Sequence, residues 1–548
     1  MNKRLKYWLC LAVLSLSFVS CDDFLDKDPD NRVYLDTPEF IENLLATAYP
    51  EADFAFAEAM SDCSGDRGLS AILDDPELQQ SYLWRDVVET WQGTPAYYWN
   101  EAYKAIAAAN HALEAIEEFE ANGRGDEVRN ARGEALLCRA YAHFMLANIF
   151  CMTYNPATAE TELGVPYITE PETTLNPTYE RETLEETYRL IEKDLTEGLE
   201  LLPATYENAP AYHFTRKAAY AFASRFYLWK GGEANFRESL KYANLVLGDV
   251  KTDNPASMLR HLNDPSSDYL GDYYDAQMLY TSSAEPANLL LVAAASNMYY
   301  QPYWRYGMTV AIRTSIYKGG IFGYGWAYQT SGGYDYLIHR PIWSYYFQQD
   351  GLNANYGVLI SSIPLLTMEE VLLNRAEANV MLGNFDDALI DINTFLSTRL
   401  SRNSWDGKAI TSAEVQSYFG IDTKALPAWR EYIEYFPYFC DFTDEANLEK
   451  FAYTNTILAL RKAEFLGTGL RWFDVRRYDI PIVHTSVTHP TDTLVAGDRR
   501  RACQIPDQAK GNGIKPNPTN DNIPESAKQA AIQMHPMGWG GVISPNNK

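Results

Sequence analysis

The chain has 548 residues, and its 73 aspartates and glutamates outnumber its 46 lysines and arginines, which gives a formal net charge of −27 at pH 7. A chain this acidic repels polynucleotides and anionic lipids, so the composition argues against nucleic-acid binding. The length is sufficient for a large hydrophobic core without disulfide support.

Residues 1–20 have the layout of a secretory signal peptide. Lys3, Arg4 and Lys6 form a basic start, and residues 9–19 form an apolar run. This run is too short for the ~20 residues that span a bilayer as a permanent helix. The segment is therefore predicted to be removed after export.

The end of this segment resembles a lipobox, because the small residue Ser20 directly precedes Cys21. We predict that Cys21 becomes the lipidated N-terminus of the mature protein; a plain signal peptide cleaved elsewhere is the alternative. Residues 21–36 would then form a tether whose acidic start resembles the export signal of lipoproteins displayed outside the outer membrane. Its acidic residues are Asp22, Asp23, Asp26 and Asp28.

Removal of the signal peptide takes away three positive charges and no negative ones, so the formal net charge changes from −27 to −30. No later apolar run approaches ~18 residues, which predicts a water-soluble protein held to the membrane by lipid alone. Apart from Cys10 and Cys21, an odd number of cysteines remains, so at least one is unpaired or paired between chains. Cys138 and Cys151 are expected to be small core residues.

The first half of the chain is predicted to be helical. Residues 97–119 carry apolar side chains at helical spacing, and Asn122-Gly123 offers a stop. Residues 126–150 are alanine-rich and apolar nearly all round, which indicates a helix enclosed by neighbours. A further helix is predicted over residues 182–202. The predicted fold class is mainly all-α.

Two later segments resemble each other, residues 221–247 and residues 371–396. Each reads as a helix, a glycine-bearing turn, an aromatic residue and a second helix, and the second copy resembles a tetratricopeptide unit. Phe236 and Phe385 occupy equivalent positions after the turn. Such helix pairs stack, because a single pair cannot bury its own apolar face. Unrelated helical hairpins are the alternative.

Between these copies, residues 250–360 are rich in glycine, tyrosine, tryptophan and polar residues, with little helical periodicity. A long insert of this kind inside an ordered domain is usually functional. Residues 481–548 read as an extended tail that wraps the domain. We therefore expect residues 37–548 to form a single domain of helical repeats with a loop-rich insert.

Several motifs together resemble the SusD/RagB family of outer-membrane nutrient-binding lipoproteins, also called SusD-like. They are CDDFLD after the signal peptide, ENLLATAY, GEALLCRAYAHFMLANIF followed by GVPYI, MEEVLLNRAEANVMLGN and RKAEFLGTGLRWFDVRRY. The resemblance covers essentially the whole chain. In the last motif Arg471, Trp472 and Asp474 are kept, whereas Thr468 replaces the usual glutamate and predicts the loss of one internal ion pair.

The resemblance implies a cell-surface protein of the outer membrane that is not an enzyme. Members of this family bind oligosaccharide, or peptide in some cases, and close as a lid over a SusC-like TonB-dependent transporter. We therefore expect an oligosaccharide ligand, a transporter partner and attachment to the outer membrane through the lipid anchor.

The ligand surface is predicted to lie in aromatic-rich loops, because pyranose C–H faces stack on flat rings and ring-edge groups form hydrogen bonds. Aromatic residues make up 14% of the chain. Packing of the loops against the core is the alternative for each ring. The candidates are Trp84, Trp91, Tyr300, Trp304, Tyr324, Trp326 and Tyr328.

The insert also contains a run of acidic residues that could hold a structural calcium ion, since Ca²⁺ prefers oxygen ligands. The spacing differs from that of an EF-hand, and a solvated acidic loop is the alternative. No other cofactor is predicted. The candidate ligands are Asp264, Asp268, Asp272 and Asp275.

Two other functions remain open from the sequence. The same family role with a peptide ligand would suit an acidic protein if the peptide were cationic. A surface glycosidase is the other alternative, although paired carboxylates arise by chance in so acidic a chain. The sequence has no G-x-S-x-G, P-loop or dinucleotide-binding fingerprint.

Overall fold

The computed structural model describes residues 35–519 and 528–529, apart from internal gaps. The signal peptide, Cys21 and all but the last two residues of the predicted tether lie outside the described residues. The gaps cover residues 175–176, 207, 265, 267–268, 270–272, 319, 328–331, 333–337, 350–356, 421–439 and 441–443.

Most of the regular structure is α-helical, and threonine side chains begin many of the helices. Thr94 is one example, since its Oγ1 accepts a hydrogen bond from the backbone N–H of Tyr97 at 3.2 Å and Pro95 follows as the first helical residue. Such caps satisfy amides that have no partner within the helix. The same arrangement precedes the helices that begin at residues 38, 184, 216, 368 and 412.

The predicted mainly all-α class is confirmed. None of the described helices is both long enough and apolar enough to cross a membrane. The α-helices are α1 (Pro38–Leu45), α2 (Ala55–Met60), α3 (Pro76–Tyr82), α4 (Pro95–Ala121), α5 (Arg129–Phe150), α6 (Leu184–Leu199), α7 (Arg216–Lys230), α8 (Glu233–Leu247), α9 (Tyr273–Tyr280), α10 (Val310–Arg313), α11 (Met368–Met381), α12 (Phe385–Ser397), α13 (Ser412–Phe419), α14 (Leu448–Glu464), α15 (Arg471–Arg477) and α16 (Asp507–Gly511).

Helix α5 is enclosed between α4 and α6, as its uniformly apolar sequence predicts. Two glycines let the backbones of α5 and α6 approach closely. A Cβ atom on Gly133 would lie 2.9 Å from Cβ of Leu201, and one on Gly198 would lie 2.9 Å from the carbonyl oxygen of Gly133. Any larger side chain at either position would therefore separate the two helices.

The two segments of similar sequence form the helix pairs α7–α8 and α11–α12, and α8 packs against α11. The turn before α12 uses Gly383 with a φ of +82°, a conformation that favours glycine. Phe236 is buried, and the ring of Phe385 lies 5.2 Å from that of Tyr453 on α14. The predicted stacking of tetratricopeptide-like pairs is therefore confirmed.

The insert contains a three-stranded antiparallel sheet that the sequence analysis did not predict. Its strand order is β2–β5–β4, so the long strand β5 lies in the centre. The sequence of β2 is a short, continuous apolar run, and such a run predicts a buried strand and a buried helix equally well. The strands are β1 (Gly65–Asp66), β2 (Asn288–Ala295), β3 (Tyr306–Gly307), β4 (Tyr346–Gln349), β5 (Gly357–Thr367), β6 (Ile482–His484) and β7 (Asp492–Leu494).

The described part of the predicted tail contains the hairpin β6–β7 and the short helix α16. The segment after the hairpin returns to the end of α5. The N–H of Cys503 donates to the carbonyl oxygen of Ile149 at 2.9 Å, and Nδ2 of Asn517 donates to that of Phe150 at 2.8 Å. These bonds satisfy carbonyl groups near the C-terminus of α5.

Cys63, Cys138, Cys151 and Cys503 are buried and form no disulfide. Burial raises the pKa of each thiol, and that of Cys503 reaches about 12. The expectation that Cys138 and Cys151 are small core residues agrees with their exposed fractions of 1% each.

Many charged residues that are buried at the contacts between distant segments form ion pairs. Arg225 on α7 donates from Nε to Oε1 of Glu370 on α11 at 2.6 Å. Breaking a buried pair on one side leaves a charge without its partner, so such pairs strongly restrict which segments can pack together. Further buried pairs are Arg139–Asp194, Arg260–Glu369, Arg399–Glu464, Arg461–Asp474, Arg477–Glu377 and Arg471–Asp62.

Glu58 on α2 is a buried carboxylate that holds the turn between α14 and α15. Its Oε1 accepts the N–H of Gly467 at 3.0 Å, and its Oε2 accepts the N–H of Gly469 at 2.9 Å. A Cβ on Gly469 would lie 2.5 Å from Cβ of Phe54, so the turn lies directly against the chain that leads into α2. Burial raises the pKa of Glu58 to about 7.

Replacing Glu370 by alanine should lower the free energy of unfolding by about 3–5 kcal/mol, because Arg225 is left charged in the core. Urea denaturation followed by circular dichroism measures this change. The matched control is Glu127→Ala, which breaks the exposed pair between Arg124 and Glu127 and should leave the denaturation midpoint unchanged. An equal effect of the two substitutions would contradict the assignment.

The raised pKa of Glu58 predicts a pH dependence of stability. Between the ordinary glutamate pKa near 4.5 and about 7, the folded protein holds a proton that the unfolded chain releases. The free energy of unfolding should therefore fall as pH rises through this window, by up to about 3 kcal/mol. Denaturation curves across this range should show a smaller loss in Glu58→Gln than in the wild type, because Asp75 and Asp391, whose pKa values burial raises to about 6, contribute in both proteins. The exposed substitution Glu118→Gln should follow the wild type, and parallel profiles for all three proteins would refute the prediction.

Candidate ligand-binding surface

Three of the tryptophans that were predicted to contact ligand are buried. Trp84, Trp304 and Trp326 have exposed fractions of 5%, 2% and 6%. Trp84 stacks on His484 with a centroid separation of 4.2 Å and donates from Nε1 to the carbonyl oxygen of Met60 at 2.9 Å. The structure corrects the expectation of an open platform here, since enclosed rings stabilise their loops by packing.

Tyr324 is half-buried against the core and belongs to a tight turn. The N–H of Ile321 donates to its carbonyl oxygen at 2.8 Å, and its own N–H donates back to Ile321 at 2.9 Å. Tyr328 lies outside the described residues. The described candidates Tyr324 and Trp326 therefore supply no exposed ring.

Trp91, in contrast, is exposed, and Tyr300 is half-buried against the core. Trp91 is 48% exposed, and its Nε1 donates to Oε1 of Glu77 at 3.0 Å, which fixes the orientation of the indole. The adjacent residue Gln92 accepts a hydrogen bond on its carbonyl oxygen from Nδ2 of Asn297 at 3.3 Å. This contact joins the loop before α4 to the segment after β2 that carries Tyr300.

Tyr300 belongs to a group of neighbouring rings that we call the tyrosine surface. The ring of Tyr299 lies 5.7 Å from that of Tyr300 and 4.1 Å from that of Tyr345, which is 42% exposed. Partial burial, followed by the nearby hydroxyls of Tyr345, Tyr303 and Tyr274, raises the pKa of Tyr299. The tyrosine surface therefore consists of Tyr274, Tyr299, Tyr300, Tyr303 and Tyr345.

The three-stranded sheet and a buried aspartate position this surface. Strand β2 ends at Ala295, and Asp53 then accepts hydrogen bonds from Oγ of Ser296 at 2.7 Å and from the N–H of Asn297 at 3.1 Å. Strand β4 begins one residue after Tyr345 and pairs with the central strand β5, whose other edge pairs with β2. The rings are thus carried on short segments whose starting points are fixed.

Beneath the tyrosine surface, the 3₁₀ helix Met298–Tyr303 rests on the turn that Glu58 holds. Nε2 of Gln301 and Nε1 of Trp343 both donate to the carbonyl oxygen of Gly467, at 2.6 Å and 2.8 Å. The support is therefore buried, while Tyr299, Tyr300 and Tyr303 on the 3₁₀ helix are half-buried.

Residues that the sequence analysis missed thus complete the site. Tyr345 and Asn297 were not among the candidates, and neither was Glu77, which orients Trp91. The acidic neighbour Glu51 contributes to the raised pKa of Tyr346, the first residue of β4, after burial and Tyr212. Exposed rings with hydroxyl and amide groups at their edges can bind ligands that combine flat apolar faces with many hydroxyls.

The position that departs from the family motif is accommodated without charge. Oγ1 of Thr468 donates to the carbonyl oxygen of Phe465 at 2.6 Å and accepts the N–H of Leu470 at 3.3 Å. Arg471 pairs instead with Asp62 on the segment after α2, at 2.8 Å. The turn therefore keeps its connection to the N-terminal segment although the glutamate is absent.

The proposed calcium ligands are only partly described. Asp264 accepts from the N–H and Oγ of Ser266 and lies 3.6 Å from Arg402, and Asp275 is exposed on α9. Asp268 and Asp272 lie outside the described residues. Within the described ranges, no three histidine, cysteine or acidic side chains are grouped so as to hold a metal ion. The structural calcium stays a prediction.

The sequence and the fold were compared with those of known proteins. A SusD-like family model, described as starch-binding and associating with the outer membrane, matches residues 23–228. No curated protein matches the sequence.

Solved structures share the fold along most of its length. A SusD superfamily protein from Bacteroides vulgatus aligns with a TM-score of 0.61 at 16% identity, over 89% of this chain and 100% of that chain. A SusD-like carbohydrate binding protein from the same species aligns with a TM-score of 0.54 at 17% identity, over 91% and 97% of the two chains. A SusD superfamily protein from Bacteroides thetaiotaomicron gives 0.55 at 17% identity, over 88% and 100%. The SusD-like family model thus covers residues 23–228, and the solved structures share the fold of this chain along nearly its whole length.

Proposed function

We propose that this protein binds an oligosaccharide or polysaccharide at the cell surface and delivers it to a SusC-like TonB-dependent transporter. The observation that carries the proposal is the tyrosine surface, a group of neighbouring exposed and half-buried rings on a segment that Asn297 joins to the loop of Trp91. The description of the family as starch-binding, and the carbohydrate-binding relative from Bacteroides vulgatus, support a glycan as the ligand.

Binding would use the rings and their edges together. Tyrosine and tryptophan faces offer apolar area to the C–H faces of sugar rings, while phenol hydroxyls and the amide of Gln92 offer hydrogen bonds. Glu77 and Asp53 fix Trp91 and Asn297 before any ligand arrives. A surface ordered in advance loses less conformational entropy on binding.

The proposed role has no covalent step, and release of the ligand to the transporter requires only reversible binding. We propose that the lipidated Cys21 holds the protein at the outer membrane, with the acidic residues 22–36 as a tether. The association of the family with the outer membrane supports this location. The peptide ligand and the glycosidase remain the alternatives against which the proposal is tested.

Removing single rings of the surface should weaken glycan binding. Each of Trp91→Ala, Tyr299→Ala and Tyr345→Ala should cost about 0.5–1.5 kcal/mol, roughly two- to tenfold in affinity, because one stacking contact is lost. Affinity electrophoresis of residues 22–548 against a polysaccharide panel identifies the ligand, and titration calorimetry then gives each affinity. Reducing ends are measured in the same samples.

The matched control for these variants is Phe40→Ala, since Phe40 on α1 has a similar exposed fraction, 44%, but does not belong to the surface. It should bind as the wild type does. Retardation by no glycan would favour the peptide ligand, and release of reducing ends would favour the glycosidase. Glycan binding that is unchanged in all three ring variants would remove the tyrosine surface from the proposal.

Replacing Cys21 by alanine should abolish lipidation and free the exported protein from the membrane. Fractionation of cells that express the wild type or Cys21→Ala, with metabolic labelling by a fatty acid, measures both properties. The control is Cys10→Ala, within the predicted signal peptide, which should still yield the labelled protein. Equal labelling and membrane retention in all three would contradict lipidation at Cys21.

A further inference from the structure

A cavity of about 280 Å³ lies between helix α4, helix α16 and the segment after α5 that includes residues 166–172 and 177–179. This is slightly below the ~300–1,000 Å³ of most small-molecule sites, so the cavity suits one or two sugar rings better than a long chain. Trp99, Tyr103 and Tyr179 supply aromatic wall. The rings of Trp99 and Tyr103 are 4.9 Å apart and inclined at 51°.

The walls of this cavity are fixed by hydrogen bonds across its base. The hydroxyl of Tyr103 donates to the carbonyl oxygen of Pro166 at 2.9 Å. The buried amide of Asn110 donates to the carbonyl oxygens of Ile168 and Glu170, at 3.1 Å and 3.4 Å, and accepts from Arg139. The segment after α5 is therefore held against α4 at the distance that keeps the cavity open.

The rim of the cavity is polar and uncharged on two sides. Asn100 on α4, with Gln508 and Asn512 at α16, is exposed, and these three side chains form no hydrogen bond with any other described residue. Amides at the rim and flat rings in the wall are complementary to a ligand with hydroxyl groups on an apolar ring.

The charged groups at the cavity disfavour the binding of anionic sugars. Its charged lining residues are Glu170 and Glu172, and Oε1 of Glu172 accepts the hydroxyl of Tyr179. Carboxylates without a cation in the lining repel uronate and sulfate groups. A larger cavity of about 440 Å³ is lined by several arginines. One of them, Arg500, already donates hydrogen bonds to Asp492 and Asp498.

The cavity and the tyrosine surface are lined by different residues, since none of the five tyrosines lines the cavity. Successive helical residues are rotated by about 100°, so Asn100, Tyr103 and Ala107 share the face of α4 that lines the cavity, and Tyr97, Glu101 and Lys104 share the next face. Nζ of Lys104 lies 3.8 Å from Glu51, outside the cavity lining.

We infer that this cavity is a second binding site, specific for a short neutral saccharide of one or two rings. It goes beyond the proposed function, because it would bind independently of the tyrosine surface. The wall of Trp99, Tyr103 and Tyr179 contacts the sugar faces, and Asn100, Gln508 and Asn512 bond its hydroxyls.

Saturation-transfer difference NMR tests this site with maltose, cellobiose, laminaribiose and xylobiose, and with digalacturonate as the anionic comparison. Ala107 is exposed and lines the cavity, so Ala107→Trp fills the entrance from a surface position. This variant should weaken binding of at least one neutral disaccharide about tenfold or more, because its contacts are blocked. Digalacturonate should give no signal that depends on residue 107.

The matched control is Glu118→Trp, about three turns further along the same exposed face of α4 and outside the cavity. It should bind as the wild type does, and so should a double variant, Trp91→Ala with Tyr345→Ala, that disrupts the first surface. The inference is overturned if no disaccharide binds, if Ala107→Trp leaves binding unchanged, or if only the double variant loses it. The double variant tests polysaccharide binding at the tyrosine surface, and Ala107→Trp tests disaccharide binding in the cavity. Either proposal can therefore fail without the other.

Discussion

Glu58 accepts hydrogen bonds from two backbone amides that lie more than 400 positions later in the chain, and much of the structure depends on this contact. The turn it holds contains the carbonyl oxygen of Gly467, on which Gln301 and Trp343 both rest. The pair between Asp62 and Arg471 fastens the same two segments a turn away. A short stretch near the N-terminus therefore connects the C-terminal motif and the insert, which local contacts alone would leave apart.

The contact between Glu58 and the turn before α15 belongs to a buried layer beneath the tyrosine surface, and this buried layer differs from the surface in its chemistry. Below the tyrosine surface, Glu58, Gln301 and Trp343 are buried and hydrogen-bonded, because burying a polar group without a partner is costly. At the surface, Trp91 is oriented by Glu77, and the segment that carries Tyr299 and Tyr300 is held by Asp53 through Asn297. Substitutions in the lower layer are therefore expected to change stability, whereas substitutions in the upper layer change affinity.

The helices and their stacking could be predicted because the information is local: helical spacing, glycine turns and a repeated segment. The sheet could not, since β2 reads as an apolar run and its pairing partner β5 lies more than 60 positions away. The exposure of the aromatic side chains in the insert could likewise be predicted only in part. Tyr299 and Tyr300 are half-buried, yet Trp304 is fully buried only a few residues later, because the irregular insert has no period that relates position to face. Tyr345 was missed since only the sheet brings it to Tyr299.

The cysteines show a further consequence of burial. Thiol–disulfide exchange requires a thiolate, and the folded core keeps these thiols protonated by raising their pKa. These four thiols therefore stay unreactive because the chain is folded, and not because a disulfide removes them. Redox state and conformational stability are then linked in this protein, since an opening of the core that exposes Cys63 or Cys138 to solvent would return the thiol pKa towards its ordinary value and allow the thiolate to react.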